Sequence, residues 1–420
     1  MKMRLLLTWA TLFTLTLSPA ALAERADTPM WRLAESPFQL EVTVLSLEEK
    51  RQTDHITNVW HRVRIERVVA GSDLKVGDET AVVSQRLETH GVPGSSGDRG
   101  PFKGPSGLPA KCDRARLFAE GSAKLLKTVS PNGWQLPDRG IAFVAADDAN
   151  RSDVTMPFIA KLVQDAKIGR AIVFSPSGDD VQDPPGATSR LVTRASLSDS
   201  WRMTSADASI LSMRRFKLGH QEFSFASATK HGLPIVGFRD SIDAFCIPGE
   251  SRQATWWNDR FPIEIWGARW KGHFSQKSKT RILPPDAEAA THPVLAGVSI
   301  PTGGIVAPSW LYEVDPLPSD CLVLLWGEAI DGERPDSPNR QPILWVREKP
   351  RKQGLPPQRI AFTTLGHPSD FVQPEVRLLA VQMIAWAVGE EARMDDAARR
   401  KIRDAEYLPP EVHLAAPGEP

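Results

Sequence analysis

From residue 38 onward, apolar and polar side chains alternate with period two. Phe38, Leu40, Val42 and Val44 share one face, and the same rhythm runs over 59–68. Such alternation belongs to strands with one face on a core. Residues 63–78 read as strand, turn, strand. A loop rich in Gly, Pro and Ser over 89–109 separates them from a further strand at 114–119, and Asn132-Gly133-Trp134 with Pro137 marks an exit. Short strands joined by glycine turns predict a small β-barrel or sandwich over 24–137.

At residue 141 the pattern changes. Ile141-Ala142-Phe143-Val144-Ala145 is continuously apolar, as expected of a strand buried on both faces. A helical spacing follows, with Ile159, Leu162, Val163 and Ala166 on one face and Pro157 early, where a missing N–H costs little. Further apolar strands are predicted at 171–174, 208–213, 233–238, 321–326, 343–346 and 360–363, with helices over 220–231 and 374–388. Strands alternating with helices predict an α/β unit over 138–393, built as a doubly wound, mostly parallel sheet. A charged tail over 394–420 begins as a solvated helix at 395–403.

Composition narrows the function classes. A chain of 420 residues with 41% hydrophobic content suffices for roughly two or three domains. Lys+Arg and Asp+Glu balance at 51 each. That excludes a field strong enough to hold nucleic acid or an anionic membrane. Residues 1–23 read as a signal peptide: basic Lys2 and Arg4, an apolar run over 5–17, then Ser18-Pro19-Ala20-Ala21-Leu22-Ala23 ending in a small-x-small cleavage pattern. The apolar run is too short for a membrane span and no later one is long enough. The expectation is therefore an exported, soluble, periplasmic or extracellular protein. Of three cysteines, Cys321 opens an apolar run and is expected to be buried, and Cys112 and Cys246 show no metal-ligand spacing. No metal and no cofactor is predicted.

In open parallel sheets, ligands bind beyond the C-terminal ends of the strands. That rule selects Asp147 and Asp148, Arg215, Arg239 with Asp240 and Asp243, and His367 with Asp370. Carboxylates can act as bases, imidazoles titrate near neutrality, and guanidiniums hold carboxylates or sugar hydroxyls. The expected catalytic groups are His367, Asp370, Asp243 and Asp147, with a carboxylate beside His367 raising its pKa. The expected substrate-binding groups are Arg215, Arg239, His273 and Trp270. The alternatives are structural: Asp147 as a helix cap, Arg239–Asp243 as an ion pair, and His367 as a loop-ordering residue. His55, His61 and His90 are expected at the surface. Trp256, Trp257, Trp266 and Trp270 cluster within one stretch, and indole faces can stack on sugars or fill a core.

Several segments over about 139–389 resemble the trehalose-utilisation (ThuA-like) family. Gly140 with Asp147-Asp148 and Arg151-Ser152 is similar to its first strand and acidic-arginine loop. Residues 206–216 resemble its strand ending in Thr-Arg-Phe-Arg, and Gly232-Leu233-Pro234-Ile235-Val236-Gly237-Phe238-Arg239 with Ala244-Phe245 resembles its Gly-x-Pro-Val-Val-x-Leu-Arg-Thr-x-x-His-Ala-Phe. Gly272-His273, His292-Pro293-Val294-Leu295, Ser309-Trp310-Leu311-Tyr312 and, most strongly, Thr364-Leu365-Gly366-His367-Pro368-Ser369-Asp370-Phe371 also match. The resemblance implies a glutamine amidotransferase-like (flavodoxin-like) fold, and the preceding β unit is loosely similar to OB or netrin barrels. Asp243 stands where the family has histidine, and Phe274 replaces a second one. Arg239-Asp240 stands where an amidotransferase has its cysteine elbow, so glutaminase activity is not expected. The resemblance thus implies a protein that binds or processes a carbohydrate or related polyol, as a hydrolase or lyase. The competing reading is a non-catalytic binding or scaffold protein with a protein partner on the β unit.

Overall fold

The computed structural model describes residues 30–53, 56–71, 73–87, 108–129, 133–176, 193–197, 206–216, 229, 232–247, 249, 251–274, 278–330 and 339–410. The signal-peptide segment, the helix expected over 220–231 except residue 229, His55 and His90 lie outside the described residues.

The alternating segment forms long strands β1 (Phe38–Thr53) and β2 (Ile56–Ala70), then β3 (Glu79–Leu87), β4 (Arg114–Ser122), β5 (Leu125–Thr128) and β6 (Trp134–Gln135). Their order is β1-β2-β3-β5-β4, and antiparallel pairing from Phe38↔Ala119 to Thr43↔Arg114 joins β1 back to β4. The sheet is therefore a closed barrel, with β6 added to β4. Leu40, Val42, Val44, Val63, Ile65, Val82 and Leu117 fill it, as period-two patterning requires.

His61 is buried in this unit at 1% exposure, its ring centroid 4.9 Å from that of Trp134, so the expected surface position is wrong. It occupies an inward register position that the alternation assigns to apolar groups. Burial pushes its pKa down to about 4, against weaker upward pulls from the Pro109 and Val59 backbones. Its unfolded value is near 6.5, so the unfolded chain binds more protons over the intervening range. Stability should fall by up to about 3 kcal/mol as pH drops from 6.5 to 4. A His61→Phe variant is expected to lose that part of the slope in urea titrations; identical slopes would disprove it.

The rest of the chain builds a ten-stranded sheet from β7 (Arg139–Ala146), β8 (Gly169–Ser175), β9 (Thr193–Ser196), β10 (Ala208–Met213), β11 (Ile235–Phe238), β13 (Lys279–Ile282), β14 (Ile305–Trp310), β16 (Cys321–Ala329), β17 (Arg340–Lys349) and β18 (Gln358–Thr363). A separate pair is formed by β12 (Trp270–His273) and β15 (Tyr312–Val314). The order is β14-β13-β16-β17-β18-β11-β10-β7-β8-β9. Strands β18 to β9 run parallel, whereas β14, β13, β16 and β17 run antiparallel to their neighbours.

The doubly wound, mostly parallel α/β fold expected from the sequence is thus corrected to a predominantly β structure, a closed barrel followed by a large mixed sheet. The cause lies in residues 321–349. Their apolar runs suit a buried strand of either direction, and no described helix connects β16 to β17. Parallel neighbours need a crossover, whereas antiparallel ones need only a hairpin.

Among the described residues, the longer helices packed around the sheet are α1 (Ser152–Asp165), α2 (Pro374–Val388) and α3 (Asp396–Arg403). Proline at its first position and Gly389 at φ 74 beyond its end bound α2 as helix chemistry predicts. From Val376 onward α2 is buried all round. One sheet face, with Ile141, Phe143, Ile210 and Phe238, packs against α1 and α2. The opposite face, with Ala142, Val144, Leu211 and Phe362, packs against Trp257, Phe261, Ile265 and Trp266 from a segment of wide helical turns. Helix α3 is docked rather than solvated. Ile402 is buried, Arg377 reaches the carbonyls of Ile402 and Arg403, and Arg403 reaches Glu375 at 2.7 Å.

Candidate functional site

The C-terminal ends of β7, β10, β11 and β18 are neighbours, so residues far apart in sequence converge there. After β7 the chain turns at once, with the Asp147 N–H donating to Ser152 Oγ at 2.7 Å and the Ser152 N–H to the Asp147 carbonyl at 3.0 Å. Asp147 does not cap α1. Its carboxylate accepts the Asn150 N–H at 3.1 Å and the Asn150 side-chain amide at 2.9 Å. The same amide nitrogen donates to Asp240 Oδ2 at 2.9 Å, so one asparagine joins two carboxylates from different strands. Asn150 Oδ1 in turn accepts from Arg239 Nε at 3.0 Å.

Arg239 leaves β11 at φ 45, a left-handed conformation that strains a non-glycine residue. The turn aims its guanidinium inward, where it donates to the Thr364 carbonyl at 3.3 Å and lies 4.8 Å from the Tyr312 ring centroid. Close approach of the β18 exit requires Gly366. At φ +147, a Cβ there would meet Arg239 Cβ at 3.1 Å. The Tyr312 hydroxyl donates to Asp240 Oδ1, and Arg214 Nε lies 3.5 Å from Asp240 Oδ2. Asp240 keeps 16% side-chain exposure, whereas Asp147, Arg239 and Tyr312 are buried.

Burial, reinforced by the charge of Asp240, pushes Asp147 up to about 7. The Asn150 hydrogen bonds and Arg239 oppose that rise without cancelling it. A carboxyl group poised there can give or take a proton at neutral pH.

His367 and Asp370 follow β18, but their arrangement differs from expectation. His367 Nδ1 accepts the Ser369 N–H at 3.2 Å, so a backbone group, not a carboxylate, fixes the ring. Burial lowers the His367 pKa, overcoming the upward pull of Asp370. Its Nε2 is buried with no hydrogen-bond partner among the described residues. Asp370 is 0% exposed and accepts from the N–H groups of Gly366, His367 and Ser309 and from the Ser309 hydroxyl. Its oxygens are committed to holding the loop, which suits a positioning role better than that of a base.

Arg215 and Asp243 do not join the network. They form a solvent-exposed ion pair at 2.8 Å on the rim. Phe274 is in the core. His273 stands beside the network, with ring centroids 5.1 Å from Trp310, 5.2 Å from Tyr312 and 5.4 Å from Trp270. Burial and the nearby Arg239 charge lower its pKa to about 4, so it is neutral at pH 7. Of the four clustered tryptophans, Trp257 and Trp266 are core residues and Trp256 bonds Glu264 at 2.9 Å. Trp270, partly exposed, is the one whose ring lies near His273 and Tyr312. Asn150 and Tyr312 are site groups that the strand-end rule does not select. The available signals were a polar residue three positions after Asp147 and one of only 2 tyrosines, inside a segment already singled out.

No group of three or more metal-ligating side chains occurs among the described residues. Cys112 and Cys246 are exposed and unpaired, and Cys321, half-buried, has its thiol pushed up to about 11 by burial, which makes it a poor nucleophile. Among the described residues no helix is long and apolar enough to cross a membrane.

No family model and no curated protein matches the chain. Several solved structures are similar in part, two of them ThuA-like proteins. A ThuA-like protein from Bacteroides uniformis is 15% identical, over 64% of this chain and 98% of that one, with a TM-score of 0.37. A ThuA-like protein from Parabacteroides merdae is 12% identical, over 60% of this chain and 90% of that one, with a TM-score of 0.38.

Proposed function

We propose that this chain binds a carbohydrate or related polyol over the exits of β7, β11 and β18 and moves a proton on it, as a hydrolase or lyase without glutaminase activity. The observation that carries the reading is the Asp147–Asn150–Asp240 unit. One buried carboxyl group with a pKa near 7 is tied to a second carboxylate that still reaches solvent. Two linked carboxyl groups of unequal burial suit acid–base work on hydroxyl-bearing substrates. Asp240 would meet the ligand, with Asp147 behind it carrying the proton. Arg239 supplies positive charge, and His367 Nε2 offers a donor already free of other bonds. Partly exposed Trp270 and Trp310 flank His273, and such rings stack on the C–H faces of sugars. The motif resemblance over residues 139–389 supports the same substrate class.

A non-catalytic binding protein is the second reading, favoured by Asp243 and Phe274, which leave no imidazole at two positions where the family has one. Thermal unfolding of the purified chain against sugars, keto-sugars and sugar alcohols tests both. Ligand at 100 times its Kd adds about 2.7 kcal/mol of stability. Stabilisation that disappears in Asp240→Asn and Trp270→Ala supports the site, and turnover of the stabilising compound separates enzyme from binder. No response across the panel overturns the polyol reading.

Export through residues 1–23 and a division into folding units near Pro137 belong to the same proposal. Mass spectrometry of secreted material is expected to show a chain starting at Glu24; an intact Met1 terminus would refute cleavage after Ala23.

A further inference from the structure

A second concavity lies on the opposite side of the sheet, where the barrel meets the N-terminal ends of β7, β10, β11 and β18. Its volume is about 340 Å³, within the range of small-ligand sites. Met30, Phe118, Leu233 and Pro356 give it apolar walls. Four arginines also line it, and three have carboxylate partners. Arg67 and Arg139 share Glu41 and Glu390, and Arg359 pairs with Glu391 and Glu348.

Arg351 differs. Its Nη2 donates to the Ala34 carbonyl at 2.8 Å, and it has no ion pair among the described residues. The opposing charge that acts on it is Glu35, which is paired with Lys352 at 3.8 Å. The guanidinium lies against Gly232, at φ +100, where a Cβ would come within 2.6 Å of Arg351 Nε. Only glycine there leaves the arginine room beside the backbone. Burial lowers the pKa of Arg351, so an incoming anion would relieve a charge held partly out of water.

We infer that this cleft binds a small organic carboxylate, its head on Arg351 and its apolar body along Phe118, Leu233 and Pro356. The planar guanidinium has donors to spare after Ala34, and a fork of two N–H groups matches a carboxylate. The apolar walls exclude a bare inorganic anion as the best occupant, because they would stay wet.

Isothermal titration of the full chain with octanoate, and with octan-1-ol as its uncharged counterpart, tests the inference. One equivalent of octanoate should bind, at least about tenfold more tightly than the alcohol, since a charge-assisted hydrogen bond is worth about that factor. Arg351→Gln should weaken octanoate at least about tenfold while leaving octanol unchanged. Pro356→Trp, which fills the cleft from its exposed edge, should weaken both. Asp240→Asn should leave octanoate binding as in the parent, which separates this cleft from the polyol site. Failure of octanoate to bind, or equal binding by the parent and both cleft variants, would overturn it.

Discussion

Replacing Asp207 with alanine is expected to cost about 3–5 kcal/mol of unfolding free energy, because it leaves the Arg116 guanidinium buried without a counter-charge. Arg116 projects from β4 of the barrel and is 4% exposed; Asp207 precedes β10 and is 8% exposed. They are bonded directly. Arg116 Nε also donates to the Leu136 carbonyl at 2.8 Å, and the Gly140 N–H donates to Asp207 Oδ2 at 2.7 Å. One ion pair thus joins the barrel, the connecting segment and the start of two sheet strands. Adding Arg116→Met to Asp207→Ala should recover most of the loss, since an apolar pair of similar volume needs no compensation in a dry site. Urea denaturation of the single and double variants measures this. A loss below about 1 kcal/mol in Asp207→Ala would mean that the pair is open to water. The same variants probe whether the two units are coupled. If the barrel stays folded while the sheet melts, proteolysis of Asp207→Ala near Pro137 should release it.

The second large effect concerns Asp147, and its sign is opposite to that of His61. A carboxyl group held near 7 in the folded chain, against 3.8 when unfolded, keeps a proton that the unfolded chain gives up. Stability should therefore fall as pH rises from about 4 to 7, by up to about 4 kcal/mol, and level off above that. Asp147→Asn removes the ionisable group. It should be more stable than the parent at pH 8 and lose the downward slope between pH 4 and 7. Because His61 contributes an upward slope over pH 4 to 6.5, the difference between parent and variant at each pH is the quantity to follow. Equal pH dependence in the two proteins would show that Asp147 is ionised throughout, and the proton-transfer role would lose its basis. In a turnover assay on the stabilising polyol, the same variant should lose most of its rate while keeping binding to Asp240 and the aromatic rim.

Periodicity alone placed many elements, because burial of a side chain is imposed locally by its own backbone geometry. The apolar run at 141–145 lies within β7, that at 208–213 coincides with β10, and the helix expected over 374–388 is α2. Which strand pairs with which, and in what direction, was not legible. The runs in β16 and β17 satisfy a buried strand either way, and the direction follows from the connection and from what covers each face. Here one side is covered by Trp257, Phe261, Ile265 and Trp266, carried on a single segment of wide helical turns.

The strand-end rule pointed to Asp147 and Arg239, which both bond Asn150, and to His367, which feels the charge of Arg239, because adjacent strand exits are near neighbours whatever lies between them in the chain. It also pointed to Arg215 and Asp243, which face solvent. A few residues past a strand, the backbone turn decides where a side chain goes, and that turn is set by tertiary contacts. Asn150 became the bridge between two carboxylates only because β7 and β11 end close together. The chemical types at the strand ends were thus written in the sequence. The pKa of Asp147, the saturated bonds of Asp370 and the free Nε2 of His367 depend on burial and on partners from distant strands, which only the folded structure brings together.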